Sequence, residues 1–157
     1  MTAYAATTSV SVAKSKAEIE ELLRKHGASE FASGWTPTHD TLQFKFRDVE
    51  VRFVLPRPDP KAKKFTQDAR HPWRTVTAKQ TALRIEQADR QRWRALYLVI
   101  RAKIEAVEAG IAIFEQEFLA FIVGPGGMTV GDILVPRIQS HQPVLSLPEW
   151  TGQEAAR

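Results

Sequence analysis

From Leu42 to Leu55 apolar and polar residues alternate with a period of two. Leu42, Phe44 and Phe46 interleave with Gln43, Lys45 and Arg47, and Val49, Val51, Phe53 and Leu55 interleave with Glu50 and Arg52. Successive side chains of a strand point to opposite faces, so each run has one apolar face. The runs meet at Arg47-Asp48, which predicts a hairpin of strands at about 41–47 and 49–55 with one face buried. Lys45 and Glu50 are expected to be neighbours on its outer face. Phe31, Ser33 and Trp35 share one face of a further strand at about 30–35. Thr8 to Val12 also alternates and is a candidate fourth strand at the sheet edge.

The period changes on either side of the sheet. Ser15-Lys16-Ala17-Glu18 reads as a capping box, in which serine and glutamate satisfy each other's amides. With Ile19, Leu22 and Leu23 at helical spacing and Gly27 as a left-handed stop, it predicts a helix at about 16–26. A much longer helix begins near Lys79. At 100° per residue, Leu96, Tyr97, Ile100, Ile104, Val107, Ile111 and Phe114 all lie within about 60° of Trp93. The back of this helix is Ala95, Leu98, Val99, Ala102 and Ala106. Apolar residues there predict contact with another helix, either residues 113–123 folded back or a second copy in a homodimer. Gly110 marks a break, and Phe114 to Ile122 continues as helix. Gly124-Pro125-Gly126-Gly127 is a turn between helices. Thr129-Val130-Gly131-Asp132 is a second capping box, opening a short helix limited by Pro136, and the tail from about 140 reads as loose. The expected fold is α+β: a three- to four-stranded antiparallel sheet packed on a long helix, with an N-terminal helix and short C-terminal helices. With 157 residues it is read as one domain.

Charge changes the picture in one place. Pro56, Pro58 and Pro60 end the sheet, and no period is visible from there to about Thr77. Within this stretch and up to Lys79 stand seven basic residues, Arg57, Lys61, Lys63, Lys64, Arg70, Arg74 and Lys79. Only Asp59 and Asp68 oppose them, so the segment carries +5 where the whole chain carries +4. Long loops are commonly functional or disordered, and this one, at about 56–78, is expected to be flexible. Phe65, His71 and Trp73 are interleaved with the cations, and Arg84, Arg90, Arg92 and Arg94 follow on the long helix around Trp93, itself read as core. Cations for phosphates and rings for unstacked bases are what nucleic acids require. The candidate nucleic-acid-binding residues are therefore Lys61, Lys63, Lys64, Phe65, Arg70, Trp73, Arg74 and Lys79. The competing explanation is a solvated loop, and a protein partner is the third.

Other chemistry finds less support. The chain has no cysteine, which removes disulfides, thiolate nucleophiles and thiolate-bound zinc. His26, His39, His71 and His141 include no pair at helical metal-ligand spacing, and no serine stands in a nucleophile elbow. The Gly-Pro-Gly-Gly turn lacks the Lys-Ser/Thr of a phosphate loop. No catalytic residue, metal or cofactor is assigned. An enzyme would have to be built on Glu105, Glu108 and Glu115, which share a flank if the helix runs on unbroken. The apolar runs are far shorter than the roughly 20 residues of a membrane span, and the first twelve residues lack the features of a secretory signal. A cytoplasmic, membrane-free protein is expected.

The order helix–strand–strand–strand–helix resembles the layout of double-stranded-RNA-binding domains, in topology only. That family's lysine-rich motif at the start of its second helix is not matched at Lys79-Gln80-Thr81-Ala82, and no binding residue is carried over. A broader resemblance rests on four segments: Tyr4 to Val10, Val51 to Pro56, Arg90 to Leu96 and Phe114 to Ala120. Together they resemble a family of small uncharacterised proteins encoded on bacteriophages and integrated mobile elements. The resemblance implies a bacterial cytoplasm and a role in phage or element biology, and it brings no known reaction. The leading expectation is a non-enzymatic accessory protein that binds DNA or RNA through the basic loop. The alternatives are a protein-binding modulator of a host machine, of anti-defence type, and an enzyme with the carboxylate site above.

Overall fold

The structure, a computed structural model, describes residues 5 and 7–143. The element order is α1 (Val12–Lys25), β1 (Ala28–Trp35), β2 (His39–Phe46), β3 (Val49–Pro56), α2 (Lys63–Thr66), α3 (Ala78–Glu108), α4 (Phe114–Glu117), a 3-10 turn at Leu119–Phe121, and α5 (Val130–Gln139). The strands form one antiparallel sheet in the order β1-β2-β3. The fold is α+β, as the pattern of periods predicts.

The hairpin register follows the alternation. Leu42 pairs with Phe53 and Phe44 with Val51, so the apolar positions of β2 and β3 fall on one face. Phe31 and Ser33 of β1 join that face opposite Phe44 and Leu42. Helices α1 and α3 both cover it. Lys16 lies over Trp93, Glu18 pairs with Arg94, and His26 Nδ1 lies 2.5 Å from Glu108 Oε1. These contacts advance along both helices in the same sense, so the two helices run parallel. The core gathers Ile19 and Leu23 of α1, Leu42, Phe44, Val51 and Phe53 of the sheet, and Trp93, Leu96, Ile100 and Ile104 of α3. Trp93 is thus a core residue, 1 % exposed.

Several local expectations change. Helix α1 starts four residues earlier than its capping box implies: Ser11, not Ser15, is the N-cap and accepts from the Lys14 amide. Ser15 is instead buried within the helix. Val12 already belongs to α1, so residues 8–12 add no strand and the sheet has three. Lys45 does stand opposite Glu50, but its ammonium lies 3.7 Å from Glu30 on the other neighbouring strand, while Glu50 accepts from Gln43.

At the C-terminal side, α3 ends at Glu108 and Gly110 turns the chain with a φ of 68°. Residues 114–122 form only one helical turn and one 3-10 turn, not a continuous helix. That stretch does not reach the back of α3. It returns to the core face, where Phe114 and Phe118 pack on Phe44. Ala95, Val99 and Ala102 are left exposed, with Val99 44 % accessible. The chain then runs beside the free edge of β3, with Ile122 bridged to Val51 and the Val123 amide donating to Glu50 O. The capping box at Thr129 and Asp132 forms as its spacing predicts, and α5 runs past Pro136 to Gln139 rather than stopping there. Gly131 is required next to the cap, because a Cβ there would lie 2.7 Å from the Ala120 carbonyl oxygen. Among the described residues, no helix is long and apolar enough to cross a membrane.

Candidate nucleic-acid interface

The basic segment leaves β3 at Pro56 and returns at Thr77, the N-cap of α3, which forms a capping box with Gln80. It has no sequence period, yet it is internally bonded. Asp59 Oδ1 accepts from the Lys61 amide and shapes the entry to α2. The single turn of α2 is held by Phe65, 5 % exposed. Its carbonyl accepts from Thr81 Oγ1 at 3.3 Å, and Gln67 O accepts from Arg84 at 2.7 Å. Beyond it, Gln67 and Thr75 are bridged, the Asp68 amide donates to Arg74 O, and the Val76 amide donates to Thr66 O. The segment is thereby anchored on the first turns of α3.

These anchors sort the predicted site residues. Lys61, Lys63, Lys64, Arg70, Arg74 and Lys79 are all exposed, and none forms an ion pair with a described carboxylate. Lys64 lies over the Phe65 ring, 4.8 Å from its centroid. Of the two candidate stacking rings, Phe65 is buried and turned to packing, while Trp73 is 79 % exposed. Trp73 rests edge-on against His71, with centroids 5.3 Å apart. Of the eight predicted residues, six cations and one ring thus lie at the surface.

The arginines of α3 behave differently. Arg84 is spent on carbonyls of the segment, Arg90 pairs with Glu86, and Arg94 pairs with Glu18. Arg92 donates to Asp40 Oδ2 at 2.8 Å, to Asp89 Oδ1 at 2.5 Å, and to the Leu55 and Pro56 carbonyls. They hold the fold together and are poor candidates for phosphate contacts.

Asp68 sets the shape of the turn that carries Trp73. Its Oδ1 accepts from the amides of Arg70 at 2.8 Å and His71 at 3.0 Å. The Arg70 bond, then the His71 bond, hold the carboxyl below its ordinary value, and the nearby charges of His71 and Arg74 act in the same sense. A lowered pKa means that the turn is supported above the ordinary carboxylate range and loses that support as pH falls through the lowered value. The Arg70 and His71 amide proton shifts are therefore expected to titrate with a midpoint below 3.8, the ordinary value for this carboxyl. A midpoint at or above it would show that these bonds do not form.

The three carboxylates weighed for an enzyme do not share one flank, because α3 ends at Glu108. Glu105 pairs with Arg101, Glu108 faces His26, and Glu115 lies beyond the break at Gly110. No group of three acidic or histidine side chains that could hold a metal ion occurs among the described residues. The Gly-Pro-Gly-Gly stretch is a tight turn, closed by the Gly124 amide donating to Met128 O and by Arg52 donating to Gly127 O. The chain matches no known family, no curated protein and no solved structure.

Proposed function

We propose that this protein binds single-stranded nucleic acid through its segment 57–79, as a non-enzymatic accessory protein of a phage or mobile element in a bacterial cytoplasm. The observation that carries the reading is the set Lys61, Lys63, Lys64, Arg70, Arg74 and Lys79, exposed and without an ion pair to a described carboxylate, in one segment with the exposed ring of Trp73. Asp59, Asp68 and Arg84 give the segment a defined shape that holds these side chains at the surface. Phosphates take the cations, and a base stacks on Trp73. Phe65 supports the reading only indirectly, as the anchor of α2.

Single strands are favoured over duplex because one projecting indole can stack only on an unpaired base. Trp73→Ala is therefore expected to weaken single-strand binding by about 1–3 kcal/mol and to leave duplex binding unchanged. Fluorescence anisotropy with labelled strands of equal length reads both. An equal loss on the two forms would remove the stacking role.

A second reading has its own observation. The exposed back of α3, with Ala95, Val99 and Ala102, suits close approach by another helix. The partner would be a second copy of the chain or a host protein, and the anti-defence alternative belongs here. Light scattering on the purified full chain decides whether that partner is a copy.

A further inference from the structure

Where the basic segment begins, a cleft of about 340 Å³ lies between β1, the first turns of α1 and the middle of α3. Its lining includes Lys16, Trp35, Asp40, Arg57, Asp89 and Trp93. Trp35 is 73 % exposed, although it continues the Phe31 and Ser33 face of β1. The Arg57 guanidinium lies 5.9 Å from its ring centroid. Lys16 stands 4.4 Å from the Trp93 centroid and forms no ion pair with a described carboxylate.

Packing accounts for part of this set. Arg92 ties Asp40 and Asp89 to the sheet end, and Arg57 Nε is 3.7 Å from Asp40 Oδ1. That network joins α3 to β2 and β3; it touches Trp35 only through the Arg57 guanidinium and does not use Lys16. An exposed indole, two cations, the buried Asp40 and the carboxylate of Asp89, 24 % exposed, line one cavity, in the size range of small-molecule sites. Arg57 also opens the basic segment, so the cleft continues that surface. Along α3, Arg84, which holds the segment, and Asp89, which lines the cleft, are five residues or about 7.5 Å apart.

We propose that this cleft takes one nucleotide of the bound strand, and that it prefers bases bearing an exocyclic amino group. The base stacks on Trp35, its phosphate lies at Lys16, and its amino group donates to Asp89. An ionised carboxylate can only accept, so it suits the N4 amino group of cytosine or the N6 amino group of adenine. Thymine presents the O4 acceptor at that edge, and two acceptors repel. The inference rests on the single-strand reading above and adds a base preference to it.

The test compares oligo(dC) with oligo(dT) of equal length, at one salt concentration in mildly alkaline buffer, by anisotropy with the full chain. Both are pyrimidines, so the phosphate and stacking contributions nearly cancel. Oligo(dC) is expected to bind about tenfold tighter, the equivalent of one hydrogen bond to a charged group. Asp89→Asn should level the two, since an amide can donate to the thymine oxygen. Lys16→Gln should weaken both and keep their ratio. This second variant does not disturb the Arg92 network, so it tests the site even if Asp89→Asn fails to fold. Equal binding of the two strands by the wild-type protein would overturn the cleft and leave the loop reading standing. Absence of binding to either strand at low salt would overturn both.

Discussion

Replacing Phe118 with alanine is expected to cost about 3–5 kcal/mol of folding stability. Phe118 is fully buried where the C-terminal stretch returns to the sheet. Its ring meets Phe44 edge-on at 5.8 Å, Phe53 edge-on at 6.4 Å and Phe114 stacked at 4.6 Å. The Lys103 ammonium lies 5.8 Å from its centroid and donates to Glu117 O at 2.6 Å. Truncation would leave a cavity bounded by three aromatic rings, each held by a further ring contact, Phe44 with Phe114 and Phe53 with Phe121, so little of it can close. Native domains are stable by only about 5–15 kcal/mol, so the loss is a large share of the total. Leu119, the next residue, is half exposed, and Leu119→Ala should change stability by no more than about 0.5 kcal/mol. Urea midpoints of the two variants measure the contrast. Equal shifts would contradict the packing of the 114–121 stretch on the core face.

The other large effect is on binding. Reversing Lys61, Lys63 and Lys64 to glutamate together is expected to weaken single-strand binding at low salt by at least about a hundredfold. Each phosphate neutralised on a single strand contributes through released counterion about 0.7 of a power of ten for every tenfold dilution of salt. Three lost contacts therefore remove roughly two to three powers of ten, and the new repulsion adds to that. The loss should be alike for every base composition, because phosphate contacts carry no sequence information. The fold should survive, since all three side chains are exposed and α2 is held by Phe65 and by Arg84 instead. A folded triple variant that still binds at full strength would place the contacts elsewhere.

The hairpin and the helical face of α3 were legible because each obeys one period over many residues. Phe44, Val51, Phe53, Leu96, Ile100 and Ile104 follow from those periods alone, and they are buried together. Short features escaped. Ser11 and Ser15 both precede helical spacing, and Glu18, three residues after Ser15, gives that serine the signature of a cap. In the fold, Glu18 is taken by Arg94 on the neighbouring helix. The turn of α2 spans four residues, too few for any period, and is fixed by the burial of Phe65. Which cations remain at the surface was not legible either. Sequence counts Arg84, Arg92 and Lys61 alike, but carbonyl and carboxylate acceptors occupy the first two. The cleft was out of reach altogether, since Lys16, Trp35, Arg57 and Asp89 come from four separate segments that meet only when α1 and α3 lie on the sheet.

The central claim is that exposed cations of the 57–79 segment hold phosphates, and its most direct measure is the salt dependence of single-strand affinity. Four or five phosphate contacts predict a log–log slope near −3 for the wild-type protein, and a slope of about −1 for whatever binding the Lys61, Lys63 and Lys64 triple variant retains. No binding to any nucleic acid at low salt, or binding whose affinity is flat across the titration, would contradict it.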